Sequence, residues 1–187
     1  MSTPTTTPQA GTSAWKIDPV HSAAEFKVRH MMIANVKGQF TVITGSMMLD
    51  PNDITKSRIE ASAEAASIIT RDAQRDAHLK SPDFFDVEKY PTLTFASTHV
   101  ERKSEGELAV TGNLTIHGVT REVIFDVEEP TAGRKDPWGN TRIGVSATAK
   151  INRKDFGLTW NAALEAGGFL VGDEVTITLD LEFAAGE

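Results

Sequence analysis

The sequence predicts an all-β fold, an eight-stranded antiparallel barrel with one short helix-containing insertion. Three observations lead there. Apolar residues recur at every second position in eight separate stretches, the signature of strands with one buried face. Only two segments interrupt that rhythm at length, residues 70–91 and 153–172. The 187 residues are 40% hydrophobic and 24% charged and include no cysteine, the make-up of one globular domain held by packing instead of disulfides. Alternation alone fits a two-sheet sandwich equally well. The even strand number and the strand length favour closure, because a closed sheet has no exposed edges and eight strands can enclose one small ligand.

The elements follow in order. The Thr-, Pro-, Ser- and Gly-rich start "MSTPTTTPQAGTSAW" predicts a flexible tail over residues 1–13 and a barrel domain over 14–187. A short lead-in at Trp15 to Asp18 precedes "VHSAAEFKVRH", where Ala24, Phe26 and Val28 oppose Glu25, Lys27 and Arg29. "GQFTVITGSMMLD" sets Phe40 and Val42 against Thr41, with a kink expected at Gly45. "SRIEASAEAASI" gives Ile59, Ala61, Ala63 and Ala65 one face of mostly small groups, which leaves room beside it.

Thr70 is the expected N-cap of a helix over "RDAQRDAHLK", with Asp72 in its first turn, an Asp72/Arg75 pair at i,i+3 spacing and a stop at Pro82. "TLTFASTHV" and "ELAVTGNLTIHG" alternate through Leu93 and Phe95, then Leu108, Val110, Leu114 and Ile116, joined by a hairpin at Ser104, Glu105 and Gly106. "REVIFDVEE", "RIGVSATAKIN" and "DEVTITLDLEFA" supply the last strands. Between the final two, one helical turn is expected at Asn161 to Ala166, ended by Gly167 and Gly168.

Charge and motifs exclude several functions. A net charge of −7 without any run of Lys or Arg argues against nucleic acid and, on the same ground, against an anionic membrane surface as partners. No apolar run approaches the roughly 20 residues that span a bilayer. The first residues lack the basic start and apolar stretch of a secretory signal, so a cytoplasmic location is expected, or a periplasmic or secreted one if a leader was removed. His21, His30, His78, His99 and His117 are scattered, with no pair at local chelating spacing. Asp83, Asp86 and Glu88 lack the spacing of a calcium loop, and "GGFLVG" is no nucleotide-binding turn. No catalytic residue, metal or cofactor is predicted.

Five stretches, "WKIDPVHSAAEFKVRHMMIANVKGQF", "RDAHLKSPDFFDVEKYPTLTFAS", "VTGNLTIHGVTREVIFDVE", "DPWGN" and "NRKDFGL", occur together in this order. Through them the chain resembles the YceI-like, polyisoprenoid-binding family from about Trp15 to Phe183. The resemblance implies a lipocalin-like barrel whose long apolar lumen encloses a polyprenyl chain, as in isoprenoid quinones or polyprenyl alcohols. Strand parity then nominates Phe26, Val28, Phe40, Val42, Ile59, Ala61, Phe95, Leu114, Phe125, Val145, Ile177 and Leu179 as lumen-lining residues. Phe84, Phe85 and Tyr90 are expected to plug one end while Asp83 and Asp86 stay wet, with Phe156 and Trp160 lining the lumen from the second interruption. His30, Arg71 and Asn161 are candidate contacts for a polar head group. The expected function is binding, storage or transport of such a lipid without catalysis, in a possible homodimer. Two alternatives stand: an enzyme acting on an isoprenoid-like substrate, and a solid-cored module that docks a partner on "FFDVEKYP".

Overall fold

Residues 13–186 are described by a computed structural model. Its strands are β1 (Ser13–Ile17), β2 (Ala23–His30), β3 (Ala34–Phe40), β4 (Ile43–Leu49), β5 (Arg58–Glu64) and β6 (Ile68–Ile69). They continue with β7 (Thr92–Ser104), β8 (Glu107–Ile116), β9 (Val119–Glu128), β10 (Arg134–Lys135), β11 (Thr141–Asn152) and β12 (Val171–Ala185). One helix, α1 (Ala73–Lys80), lies between β6 and β7.

The pairing closes on itself. β1 and β2 are successive pieces of one wall, because both pair with β12. β3 and β4 form the next wall against β2 and β1, and β5 and β6 the third against β4 and β3. From β5 the circuit runs antiparallel through β7, β8, β9, β11 and β12 back to the start, giving the expected eight-stranded barrel. The hairpin between β7 and β8 turns on Glu105 and Gly106, whose φ of 77° suits a residue without a Cβ.

Four expectations are corrected. Of the predicted tail, residues 1–12 lie outside the described residues, and Ser13 already pairs in β1. The helix is capped by Asp72, whose carboxylate accepts from Arg75 N; Thr70 is buried, donating to Asp76 Oδ1 at 2.5 Å while accepting from Arg75 Nε at 2.7 Å. Gly45 makes no kink, since β4 keeps one register against β5 from Ile43 to Met48. The wall breaks earlier, at Thr41 and Val42, both bonded to Ser67.

No helical turn forms at Asn161 to Ala166. Asn161 spends its side chain on Val171, accepting from its N–H at 3.0 Å and donating to its carbonyl at 2.7 Å. A tight turn from Leu164 to Gly168 then brings Phe169 back opposite Ala163. The 3-10 turn of this region is Arg153–Phe156 instead, capped by Asn152 and ended by Gly157 in the left-handed region.

Candidate functional site

A cavity of about 580 Å³ occupies the barrel interior. The registers fix its two ends. Ile17, Met47, Ile59, Leu108 and Val127 lie toward the end where β11 begins and β12 finishes; Val28, Ile116, Ile151 and Val175 lie toward the other. Beyond the first end Trp15, Ile143 and Phe183 pack into the core without touching the cavity. The alternating strands create this lumen directly, since each inward side chain has an outward polar neighbour. The small residues matter as well: Ala61 and Ala147 line the wall where larger groups would fill the space.

Polar side chains gather at the second end. His30, Asp72, Gln74, Arg75 and His78 border the cavity there, with Arg153 and Trp160. Most are engaged: Arg75 also donates to the Thr70 carbonyl at 2.6 Å, and His78 Nε2 bonds Asp83 Oδ2 at 2.8 Å.

The paired phenylalanines divide between two ring clusters. Phe84 joins His78 and Trp160 in a triangle with centroids 4.6 to 5.4 Å apart. Phe85 extends a chain through Phe40, at 5.7 Å and edge-on, to Phe26. Edge-to-face contacts of this kind hold rings in place while leaving an apolar surface toward the lumen. The "SPDFFD" segment thus brings Phe84 and Phe85, but not Tyr90, to the cavity wall.

Arg153 is the structural residue that sequence reading passed over. It is only 3% exposed, yet its guanidinium donates to the carbonyls of Gly172, Leu158, Trp160 and Val171 at 2.7 to 3.3 Å, with Asp173 at 3.8 Å. Burial pulls its pKa below the ordinary value, against the favourable field of Asp173. Four carbonyls around one cation lock residues 157–172 against the barrel and so position Trp160. A basic residue inside "NRKDFGL" gives no hint of this, because its partners are main-chain atoms, which no residue pattern encodes.

At the opposite end charges, not rings, close the structure. Arg142 bonds Asp18 Oδ2, Asp136 Oδ2 at 2.9 Å and Glu182 Oε1 at 3.0 Å, and His21 Nδ1 lies 3.0 Å from Asp18 Oδ2. The "DPVH" and "DPWGN" stretches thus meet through one guanidinium. The hydrogen bond from His21 and that from Arg142 hold Asp18 well below the usual carboxylate range, although burial opposes them. Burial also opposes ionisation of Asp136, but bonds from the Asn140 backbone and side chain, Arg142 and the Trp138 N–H outweigh it and bring its pKa to about 2. Asp18, His21 and Glu182 place three donor atoms within 4.8 Å of one another, but Arg142 already neutralises both carboxylates.

Of the nominated lumen residues, Phe26, Val28, Phe40, Ile59, Ala61, Phe84, Phe85, Phe95, Leu114, Phe125, Val145, Trp160, Ile177 and Leu179 border the cavity. Three do not. Val42 sits in the break between β3 and β4, 40% exposed. Tyr90 lies outside the barrel on His117, 4.7 Å between centroids, over Gly118. Phe156 is buried, but the 3-10 turn directs it into the core beside the lumen. Among the polar candidates His30 borders the cavity; Arg71 is exposed outside it, and Asn161 is committed to Val171.

Known proteins share this architecture. The YceI-like domain family matches residues 15–183. The chain belongs to the YceI-like family. A UPF0312 protein from Staphylococcus aureus strain N315 is 38% identical over 170 residues, covering 91% of this chain and 96% of the relative. Among solved structures, Burkholderia cenocepacia BcnA superposes with a TM-score of 0.78 at 22% identity, covering 89% of this chain and 98% of its own. A polyisoprenoid binding domain from Saccharophagus degradans, implicated in plant cell wall breakdown, gives 0.67 at 16% identity, with 93% and 99% covered. At these identities the two structures speak to the shared fold. Among the described residues no helix is long and apolar enough to cross a membrane.

Proposed function

We propose that this YceI-like barrel binds, stores or carries a polyisoprenoid lipid, an isoprenoid quinone or polyprenyl alcohol, with the chain in the lumen and the head group at the end marked by His30. The observation behind this reading is the lumen itself: about 580 Å³ along the barrel axis, within the range of ligand pockets, walled mainly by aliphatic and aromatic side chains, with His30, Asp72, Gln74, Arg75 and His78 gathered at one end. The polyisoprenoid-binding neighbour supports the class of ligand.

The energetics suffice without any reactive group. Burying hydrocarbon contributes about 0.8 kcal/mol per methylene-sized group. About twenty such carbons give roughly 16 kcal/mol before losses. Association and ordering cost several kcal/mol, which leaves about the 8 kcal/mol of micromolar binding. A carrier role asks only that Arg75, His78 and Arg153 hold the rim in place, which their bonds to Thr70, Asp83 and backbone carbonyls do.

Extraction of purified protein with organic solvent is expected to release a polyprenyl lipid identifiable by mass spectrometry, and delipidated protein is expected to take up an added isoprenoid quinone. Protein that yields no such lipid and takes up none would falsify the reading.

A further inference from the structure

The tip of the β2–β3 hairpin is built against its own turn chemistry. Met31 and Met32 both hold positive φ, 49° and 61°, and Ile33 N closes the turn on His30 O at 3.1 Å. Two consecutive residues in the left-handed region ordinarily call for Asn and Gly. Here they are long apolar side chains, and they point out: Met32 is 64% exposed and Ile33 73%. Phe169, also exposed, stands on the neighbouring loop, which meets the tip through Met31 N bonded to Leu170 O at 2.8 Å and Met32 Sδ against Gly168.

This apolar lip adjoins the polar end of the lumen, whose wall includes His30, Leu170 and Val171. Its flanks are basic. Residues 26–40 contain Lys27, Arg29 and Lys37 and no acid, and among the described residues none of the three has an ion-pair partner within 4 Å. Across the lip, residues 161–172 add one acid, Glu165, and the next two, Asp173 and Glu174 on β12, are paired with Lys154 and Lys150. The whole-chain charge of −7 that argues against an anionic surface is an average, and this hairpin departs from it.

We infer that the lip of Met31, Met32, Ile33 and Phe169 docks the barrel on an anionic bilayer surface, with its apolar side chains among the acyl chains and Lys27, Arg29 and Lys37 over the lipid head groups. Shallow apolar insertion combined with basic flanks is the recognised composition of an interfacial contact. Docking in this orientation sets the polar end of the lumen toward the membrane, the direction from which a lipid would enter. The inference builds on the proposed lipid-carrier function, but its test stands apart from it.

The probe is flotation with phosphatidylcholine vesicles made with and without phosphatidylglycerol. Wild-type protein is expected to float with the phosphatidylglycerol vesicles and much less with phosphatidylcholine alone. A Met31→Asn/Met32→Gly/Ile33→Thr variant, whose turn residues suit the backbone better, is expected to raise the thermal midpoint and abolish flotation. Lys27→Gln/Lys37→Gln should weaken it roughly thirtyfold, at about fivefold per charge. Trp138→Ala, which removes an 81% exposed ring at the other end, should leave it unchanged. Uptake of farnesol from solution, read separately, reports on the lumen: flotation that depends on the tip supports the lip whether or not farnesol enters. Wild type that stays unbound, tip variants that float as wild type does, or a tip that instead joins two copies into a doubled mass by light scattering would overturn it.

Discussion

Where β11 begins and β12 finishes, Arg142 ties Asp18, Asp136 and Glu182 together above a buried Trp15, Ile143 and Phe183; at the other end, closure rests on His78 set edge-on to the rings of Phe84 and Trp160. Directional charge-assisted bonds fix one geometry, whereas ring contacts tolerate sliding at small cost. The difference assigns the two ends different work. The ionic end holds the sheet in register beneath the lumen, and under the proposed function the aromatic end is the one that would part for a ligand. Even there the hinge is firm, because Arg153 pins the segment that presents Trp160.

The comparison breaks most sharply if the lumen is filled. Ala61→Phe/Ala147→Phe puts two rings into the cavity and is expected to weaken polyprenyl binding by about a hundredfold or more while stability stays within about 1 kcal/mol, because a hollow lumen accepts volume that a packed core would not. Isothermal titration and urea unfolding measure the two effects. A stability loss of about 3 kcal/mol would instead mean that these positions are already packed.

Arg153→Ala comes next. It leaves four carbonyls without their donor in a buried site, and urea unfolding should show a loss of about 3 kcal/mol. Phe84→Ala removes one ring of the aromatic end; a loss of about 2 kcal/mol and roughly tenfold faster ligand release by stopped flow are expected, with the ionic end unaffected.

The smallest effect is that of pH on the ionic end. Asp136 titrates at about 2 in the folded protein against an ordinary 3.8, so its contribution is complete above about pH 4 and disappears as pH falls toward 2. His21 runs the other way: the hydrogen bond and field of Asp18, with Glu182 adding to them, raise its pKa above 6.5. Its contribution is complete below that value and is lost as pH rises through the higher folded pKa. Thermal midpoints measured across pH should show both limbs. Arg142→Ala should flatten the acid limb and His21→Gln should remove the other, each without changing ligand affinity.

The sequence made the walls legible but only part of the site. Period-two alternation finds the eight walls, though β1 reads only as a lead-in and β3 begins before the stretch that was read, since each inward residue such as Phe125 or Ile177 must have an outward polar neighbour. Parity cannot tell whether an inward side chain faces void or core, and it fails where the chain leaves the sheet, as at Val42. Local propensity placed the helix but not its cap, because Thr70 is drawn inward by Arg75 and Asp76. Tyr90 and Phe156 were assigned by ring chemistry alone, and a left-handed Asp86 and a 3-10 turn aim them elsewhere. Arg142 was invisible because two of its partners, Asp18 and Glu182, are distant in sequence, and Arg153 because its partners are main-chain oxygens that no residue pattern encodes.

Trp160 offers the most direct test. It borders the lumen, while Trp15 lies in the core off the cavity and Trp138 is exposed, so a Trp15→Phe/Trp138→Phe variant has a single reporter at the aromatic end. Titrated with a long-chain isoprenoid quinone, its fluorescence should be quenched saturably at one quinone per chain, and the quenching should vanish when Ala61 and Ala147 are both replaced by Phe. A signal that never saturates, or one indifferent to that filling, would contradict the view that a hydrocarbon chain lies inside this barrel.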